Sequence, residues 1–249
     1  MTHTPHLPRR VTGALAVAAV ALGLGLTAGT ASSASAATPA TVRPASQTAL
    51  SALSSLPVKA LASSSGYSRD QFGTAWTDAQ DAPGGRNGCD TRNDVLRRDL
   101  TKQVVDTDGC TVESGHLTDP YAGKSINFVR GVGTSSAVQI DHIVALSDAW
   151  QTGAQSLTKT VRTQLANDPL NLWAVDGPTN DAKGDKDAAS WLPPHTASDC
   201  MYVARQVAVK IAYHLWVTKA EHDAIASVLG GCSTLALPTE ANWAVPNPS

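Results

Sequence analysis

Apolar residues recur at helical spacing in several segments of the chain. The segment 91–104 has apolar residues at Val95, Leu96, Leu100 and Val104, three or four positions apart for the most part, and this predicts a helix over Thr91–Val104. The same criterion predicts four further helices, over Ile143–Trp150, Leu157–Leu165, Met201–Trp216 and Lys219–Leu229. A short helix is also predicted around Gln47–Leu61.

Short runs rich in β-branched and aromatic residues lie between these helices. Thr111–Leu117 and Ser125–Arg130 flank the turn-forming sequence DPYAG at 119–123, which predicts a β-hairpin. Ala137–Ile140 and Asn171–Val175 are predicted as two more strands. After the second of these, we expect a turn at 176–178 and a helix capped by Thr179. The pattern therefore predicts an α+β fold whose β part lies around residues 112–175.

The two ends of the chain differ in composition from its middle. Residues 1–36 contain Arg9 and Arg10, then a long apolar stretch, then the small-residue site Ala34-Ser35-Ala36. This order is typical of a secretory signal peptide, and a membrane anchor is the alternative. We expect residues 37–65, rich in Ala, Ser and Pro, to form a linker, residues 66–232 the globular domain, and residues 233–249 a flexible tail. After signal cleavage no stable membrane association is expected.

Composition narrows the function classes. The 249 residues are 42% hydrophobic and 16% charged, which excludes a disordered chain. The formal net charge is −2, so the protein does not hold nucleic acid through a large global positive charge. Any activity on nucleic acid must therefore depend on a local site.

The chain has four cysteines, an even number that predicts two disulfides in an exported protein. We favour Cys89–Cys110 and Cys200–Cys232, because each pair brackets one local segment. The alternative is a zinc site, but no pair has the C-x₂-C spacing that such sites usually have.

Residues with catalytic and metal-binding chemistry concentrate in two segments, VQIDHIV and NDPLNLWAVDGPTNDAKGDKD. Asp141 and His142 stand at a strand end, where neighbouring side chains point to opposite faces. One can hold a metal while the other faces a substrate atom. The second segment ends in a helix start with Asn180, Lys183 and Lys186, a place suited to phosphate. Carboxylate, amide and phosphate oxygens favour Mg²⁺ or Mn²⁺.

These two segments resemble the HNH branch of the ββα-metal nucleases, in the D-H…N…N form. Asn180 follows Asn171 by nine positions, and Lys183 follows three residues later. From about Gly88 to Cys232, the chain also resembles exported actinobacterial proteins of the HNH family, which are related to the nuclease domain of modification-dependent restriction enzymes. The resemblance implies a small antiparallel sheet with a ββα-metal motif, surrounded by helices.

The resemblance also implies roles for individual residues. His142 matches the general base, and Asn171 matches the structural asparagine that ties the motif together and helps to aim the base. Asp141 and Asn180 match the ligands of one divalent metal, most simply Mg²⁺, with Mn²⁺ as the alternative. Lys183 is a candidate contact to the substrate phosphate, and Lys186 is a weaker one.

Plainer interpretations stand beside these roles. His142 could be a core histidine bonded to a backbone carbonyl, and Asp141 could cap the following helix. Lys183 and Lys186 lie among Asp181, Asp185 and Asp187, so they could form a solvated, self-paired helix face.

The sequence thus predicts a secreted, metal-dependent endonuclease with little sequence specificity, acting on DNA more readily than RNA. Two alternatives remain: a non-catalytic exported module that binds metal or cell wall, and a hydrolase of phosphorylated small molecules. The oligomeric state stays open.

Overall fold

The computed structural model describes residues 47–246 and residue 248. The predicted signal peptide at 1–36 lies outside the described residues, as do positions 37–46 of the predicted linker. Contacts divide the chain into Met1–Arg43 and Pro44–Ser249, and the description below concerns the second unit only. None of the described helices is long and apolar enough to cross a membrane.

The described residues form a mixed α+β structure, as the sequence predicts. Its α-helices are α1 (Ala49–Leu53), α2 (Thr91–Asp99), α3 (Leu146–Gln151), α4 (Lys159–Asn167), α5 (Gly177–Lys183), α6 (Asp199–Ala212) and α7 (Lys219–Gly230). Its strands are β1 (Thr101–Val105), β2 (Val112–Thr118), β3 (Ser125–Val129), β4 (Val138–His142) and β5 (Leu172–Asp176). Strands β1, β2 and β3 form one antiparallel sheet in that order, and β4 pairs with β5 in a second.

The β4–β5 pair fixes the relative positions of the two informative segments. The register places Val138 opposite Asp176 and His142 opposite Leu172. The connection between the strands contains α3 and α4, and α5 begins immediately after β5. Asp141, His142 and the residues of α5 are therefore brought to one region of the fold.

Helix α6 lies at the centre of the packing. Its buried residues Tyr202, Val203 and Val207 pack with α1 and α7 in one apolar cluster, while Val209 belongs to a second cluster with residues of α3 and α4. A third cluster joins α2 to both sheets. These clusters hold the β4–β5 pair in place from several sides.

The prediction of a helix over Thr91–Val104 is correct at its start and wrong at its end. Helix α2 ends at Asp99, because Leu100 adopts an extended conformation and the β-branched residues after it pair with β2. Thr101 pairs with His116, and Val105 pairs with Val112. Pairing with a neighbouring strand thus overrides the helical spacing of Leu100 and Val104.

The predicted turn at 176–178 is also corrected. Asp176, and not Thr179, caps α5: its carboxylate accepts a hydrogen bond from the Thr179 backbone N–H at 3.1 Å. Pro178 lies in the first turn, where its missing N–H costs nothing. The start of α5 therefore already holds a carboxylate, which removes the argument for a phosphate there.

The predicted linker and tail pack onto the domain wherever they are described. In α1, Ala49, Ala52 and Leu53 are buried against α6 and α7. The backbone N–H of Ala49 donates to the Leu235 carbonyl at 2.8 Å, so the two terminal segments also bind each other. Residues 47–65 and 233–246 thus belong to the globular unit, because their apolar residues complete its core.

Both predicted disulfides are present. Cys89–Cys110 joins the segment before α2 to the β1–β2 connection, and Cys200–Cys232 joins the start of α6 to the end of α7. The described residues contain no free cysteine.

Candidate active site

Asp141 and His142, the last two residues of β4, both line a cavity of about 350 Å³. Its walls come from β4, the start of α3 and α5, together with Arg69 from the short 3₁₀ turn Arg69–Phe72. We call it the polar cavity, because its lining includes Arg69, Asp141, His142, Asn180, Asp181 and Asp185. Three of the predicted site residues therefore line this cavity: Asp141, His142 and Asn180.

The His142 imidazole is held in one orientation. Its Nε2 lies 2.9 Å from the Ala166 carbonyl oxygen, and a carbonyl oxygen only accepts hydrogen bonds. Nε2 therefore carries the hydrogen, and in the neutral ring Nδ1 carries the lone pair. Trp76 stacks on the ring with centroids 5.6 Å apart and planes inclined by 11°.

The surroundings of His142 favour its neutral form. Burial lowers the pKa of His142 to about 4, outweighing the hydrogen bond to Ala166 and the charge of Asp141, which act in the opposite direction. The positive charges of Arg69 and Lys183 lower it further. At neutral pH the imidazole is thus uncharged and able to accept a proton at Nδ1.

Asn171 is fully buried at the start of β5. Its Oδ1 accepts from the Val144 N–H at 2.9 Å, and its Nδ2 donates to the Leu165 carbonyl at 3.2 Å. The backbone carbonyl of Asn171 also accepts from the Ile143 N–H at 2.8 Å. One side chain therefore ties the segment after His142 to the helix that holds the imidazole.

The Asp141 carboxylate is held by two buried donors. The hydroxyl of Tyr121 donates to Oδ2 at 2.5 Å, and Lys183 Nζ donates to Oδ1 at 2.9 Å. Burial and the nearby negative charge raise the pKa of Tyr121 well above its usual value, so its hydroxyl stays protonated and donates. Asp141 does not cap α3, whose N-cap is Ala145 without a side-chain bond.

The structure gives Lys183 contacts inside the protein, whereas the sequence predicts a contact with substrate phosphate. Lys183 is 0% exposed, and its ammonium donates to Asp141 and to the His142 carbonyl, both at 2.9 Å. These two hydrogen bonds hold Lys183 against the two end residues of β4. It is also not part of a solvated helix face.

Lys186 is exposed and follows α5, and its side chain folds back onto the end of that helix. Its Nζ donates to the Ala182 carbonyl at 2.7 Å, and it does not line the polar cavity. The structure therefore offers no support for Lys186 as a phosphate contact.

Asn180 stands at the polar cavity beside Asp141. Its Nδ2 donates to Gln139 Oε1 at 2.7 Å, which leaves its amide oxygen as the atom able to ligate a cation. A carboxylate oxygen can accept more than one contact, so Asp141 can also ligate while bound by Tyr121 and Lys183. Within the described residues no group of three or more His, Cys, Asp or Glu side chains forms a metal cage. The residues fit a hard cation that keeps several waters, as Mg²⁺ does.

Three residues of the site were missed by the sequence analysis. Arg69 and Trp76 come from a segment assigned to no element, and Tyr121 comes from what was interpreted as a turn. Arg69 is exposed and lines the polar cavity, so it is the basic side chain available to an anion there. Residue type alone could have indicated two of them: Tyr121 is an aromatic residue in a predicted turn, and Arg69 is a basic residue near the start of the predicted globular domain.

Comparisons with known proteins define the class of this chain. A family model described as "GmrSD restriction endonucleases, C-terminal domain" matches residues 90–228, more than half of the chain. This match relates the chain to nucleases. More narrowly, the chain belongs to the family of C-terminal domains of GmrSD restriction endonucleases.

A relative from Arthroderma benhamiae, named an uncharacterized secreted protein, is 40% identical over 191 residues. The alignment covers 76% of this chain and 87% of the relative. No solved structure matches the chain. The matched family region contains β4, β5 and α5, whereas Arg69 and Trp76 lie before it.

Proposed function

We propose that this protein is a secreted, divalent-metal-dependent endonuclease of the HNH type, in which β4, β5 and α5 form the ββα-metal motif. One observation carries the proposal. The neutral His142 imidazole is fixed through Nε2, and it shares the polar cavity with Asp141 and Asn180. This arrangement suits the hydrolysis of a phosphodiester bond.

In this mechanism His142 is the general base. Its Nδ1 accepts a proton from the water that attacks phosphorus, while Nε2–H stays bound to Ala166. The low pKa of His142 keeps Nδ1 available at neutral pH. Asn171 acts as a positioning residue, because it holds the carbonyl next to the one that binds the imidazole.

Asp141 and Asn180 would hold the metal through a carboxylate oxygen and an amide oxygen. When bound, such a cation would neutralise charge on the phosphoryl oxygens and on the leaving oxygen. Lys183 and Tyr121 keep the Asp141 carboxylate in its orientation.

In this proposal Arg69 contacts the substrate phosphate, the role that the resemblance implied for Lys183. Its guanidinium lies at the polar cavity, close enough to His142 for its charge to lower the pKa of His142. Guanidinium groups bind phosphate through two parallel hydrogen bonds. We assign it to a phosphate oxygen of the substrate.

The substrate is nucleic acid, with DNA favoured because the family is named for restriction endonucleases. A formal net charge of −2 leaves little basic surface for extended recognition, which supports cleavage with little sequence specificity. Two disulfides and a relative named as secreted support export.

The test is digestion of supercoiled plasmid and of RNA by the purified chain, with Mg²⁺, with Mn²⁺ and with EDTA. We expect cutting of plasmid that requires metal and stops with EDTA. Asn180→Ala should raise the Mg²⁺ concentration for half-maximal cutting by about 10-fold or more, and Lys186→Ala should leave it unchanged. If no nucleic acid is cut with either metal, while Mg²⁺ still binds, the protein is a non-catalytic metal-binding module. Cleavage of a chromogenic phosphodiester alone would indicate a small-molecule hydrolase.

A further inference from the structure

Gln139 lines the polar cavity two residues before Asp141 on β4, and the mechanism above gives it no role. Alternate residues of a strand point to the same face of the sheet, so the Gln139 side chain leaves β4 on the side of Asp141. Helix α5 packs beside β4, and its residues Asn180 and Asp181 also line the polar cavity. Gln139 and Asn180 are partly buried and Asp181 is exposed, so none of the three side chains is enclosed by the protein.

Two hydrogen bonds join these three side chains in series. Gln139 Nε2 donates to Asp181 Oδ1 at 3.2 Å. Asn180 Nδ2 donates to Gln139 Oε1 at 2.7 Å. We call the three residues Asp181, Gln139 and Asn180 the amide network. Its last member is the candidate metal ligand, and its first member is a carboxylate that the candidate metal site does not otherwise use.

The carboxylate fixes the direction of both hydrogen bonds. A carboxylate only accepts, whereas an amide group has a donor end and an acceptor end. Asp181 therefore selects the Nε2 end of Gln139, which turns Gln139 Oε1 towards Asn180. That oxygen selects the Nδ2 end of Asn180, so the amide oxygen of Asn180 is the end left for a cation.

The bond between the two amides does not set this direction by itself. If both amide groups turned over together, Gln139 could donate to Asn180 and keep one hydrogen bond between them. Asn180 would then present its two N–H hydrogens to the cavity, and these carry the wrong polarity for a cation. Only the bond to Asp181 distinguishes the two arrangements.

The backbone brings β4 and α5 close enough for these bonds. Gly177 is the first residue of α5, and a Cβ on it would overlap the Ser136 carbonyl oxygen and lie 3.2 Å from Gln139 Nε2. Glycine thus allows the start of α5 to lie against the segment before β4. Asn180, one turn further along α5, then reaches Gln139.

We propose that Gln139 and Asp181 are positioning residues of the candidate metal site. Asp181 orients the Gln139 amide, and Gln139 orients the Asn180 amide so that its oxygen faces a divalent cation. The cation rests on the proposed function, whereas the orientation of the two amides rests on the hydrogen bonds alone. Neither positioning residue has to touch the metal or the substrate.

Two substitutions of Asp181 separate its role as an acceptor from its charge. Asp181→Asn and Asp181→Leu remove the same negative charge, but only asparagine still offers an oxygen to Gln139 Nε2. The measurement is calorimetric titration of Mg²⁺ into the full chain without nucleic acid. We expect Asp181→Leu to bind Mg²⁺ about 10-fold more weakly than Asp181→Asn, because loss of a partner that orients a ligand typically costs about 10- to 100-fold in metal affinity. Gln139→Leu should weaken binding at least as much.

A second readout needs no metal. The side-chain amide signal of Asn180 in a proton–nitrogen NMR spectrum, identified by its loss in Asn180→Ala, reports the bond to Gln139. We expect this signal to keep its position in Asp181→Asn. In Asp181→Leu and in Gln139→Leu it should move towards the position of a solvent-exposed asparagine, because Gln139 then no longer holds the amide in one orientation.

An Asn180 signal that stays in place in Asp181→Leu and Gln139→Leu would overturn the proposal, as would equal measurable Mg²⁺ affinities of the two Asp181 variants. The failure of the proposed function looks different. If the signal responds as expected but the wild type binds no Mg²⁺, the amide network stands and the metal-dependent function is lost.

Discussion

Asn171 and His142 bind neighbouring carbonyl groups of the same helix. Asn171 Nδ2 donates to the Leu165 carbonyl at 3.2 Å, and His142 Nε2 contacts the Ala166 carbonyl at 2.9 Å. The buried amide therefore fixes the part of α4 that orients the imidazole, although it does not touch the imidazole itself. The orientation of the His142 imidazole and the local fold therefore depend on the same hydrogen bonds to α4.

Replacing Asn171 should affect stability and turnover together. Asn171→Ala leaves the Val144 N–H and the Leu165 carbonyl without these partners inside the protein. We expect the free energy of unfolding in urea to fall by about 2–4 kcal/mol, and kcat to fall while KM changes little. Asn180→Ala is the matched control: its bond to Gln139 lies at a cavity, so stability should change by less than about 1 kcal/mol. Equal stability of the two variants would contradict the role given to Asn171.

The two lysines of the α5 segment should behave in opposite ways. Lys183→Met leaves the buried Asp141 carboxylate without its cation, which costs about 3–5 kcal/mol of stability. Lys186→Met removes an exposed side chain, and should stay within about 0.5 kcal/mol of the wild type. Urea denaturation of both variants measures this difference. If Lys183→Met has normal stability and a raised KM, the result would instead support the predicted contact between Lys183 and the substrate phosphate.

Arg69 should govern substrate affinity without affecting folding. It is exposed and lines the polar cavity, so Arg69→Gln should preserve the unfolding transition. The loss of one charged phosphate contact should raise KM for plasmid about 10-fold and reduce the salt dependence of binding. Arg86→Gln is the control, because Arg86 is exposed, pairs with Asp81 and does not line the polar cavity. If both variants raise KM equally, the increase comes from the loss of a positive charge anywhere on the surface, and Arg69 has no specific contact with phosphate.

Acidification should stabilise the protein through Glu221. Glu221 is buried and shares Lys210 with Asp148, and burial raises the pKa of Glu221 to about 7. The folded state thus binds a proton more tightly than the unfolded chain. This contribution to stability is fully present below about pH 4.5, the unfolded value, and is lost as the pH rises through about 7.

Urea denaturation at pH 5 and at pH 8 measures this effect. We expect the contribution of Glu221 to the unfolding free energy to be smaller at pH 8 than at pH 5, by an amount on the order of 1–3 kcal/mol. Glu221→Gln keeps the cap at Thr218 and should flatten this dependence. The exposed Glu240→Gln should follow the wild type. If Glu221→Gln retains the full pH dependence, another group is responsible.

Part of the site follows from the sequence because it is local. Asp141, His142 and Asn180 lie on β4 and α5, and pairing of β4 with β5 brings these elements together. Each disulfide joins two cysteines that are neighbours in the sequence, so pairing each cysteine with the next one along the chain predicted both.

The rest of the site depends on tertiary packing. Arg69 and Trp76 reach His142 from a segment that is distant in sequence, and no local pattern marks that approach. Lys183 lies among acidic residues that suggest exposure, yet its turn of α5 faces β4 and Asp141. The end of α2 was misjudged for the same reason: helical spacing at Leu100 and Val104 was outweighed by pairing of β1 with β2.

The general-base role of His142 is tested by the rate of Mg²⁺-dependent nicking of supercoiled plasmid, compared among the wild type, His142→Ala and His222→Ala. His222 lies on α7 and does not line the polar cavity. We expect His142→Ala to lose about 10²- to 10⁴-fold in rate, the contribution of a general base, and His222→Ala to cut normally. Nicking by His142→Ala at the wild-type rate would show that His142 is not the general base.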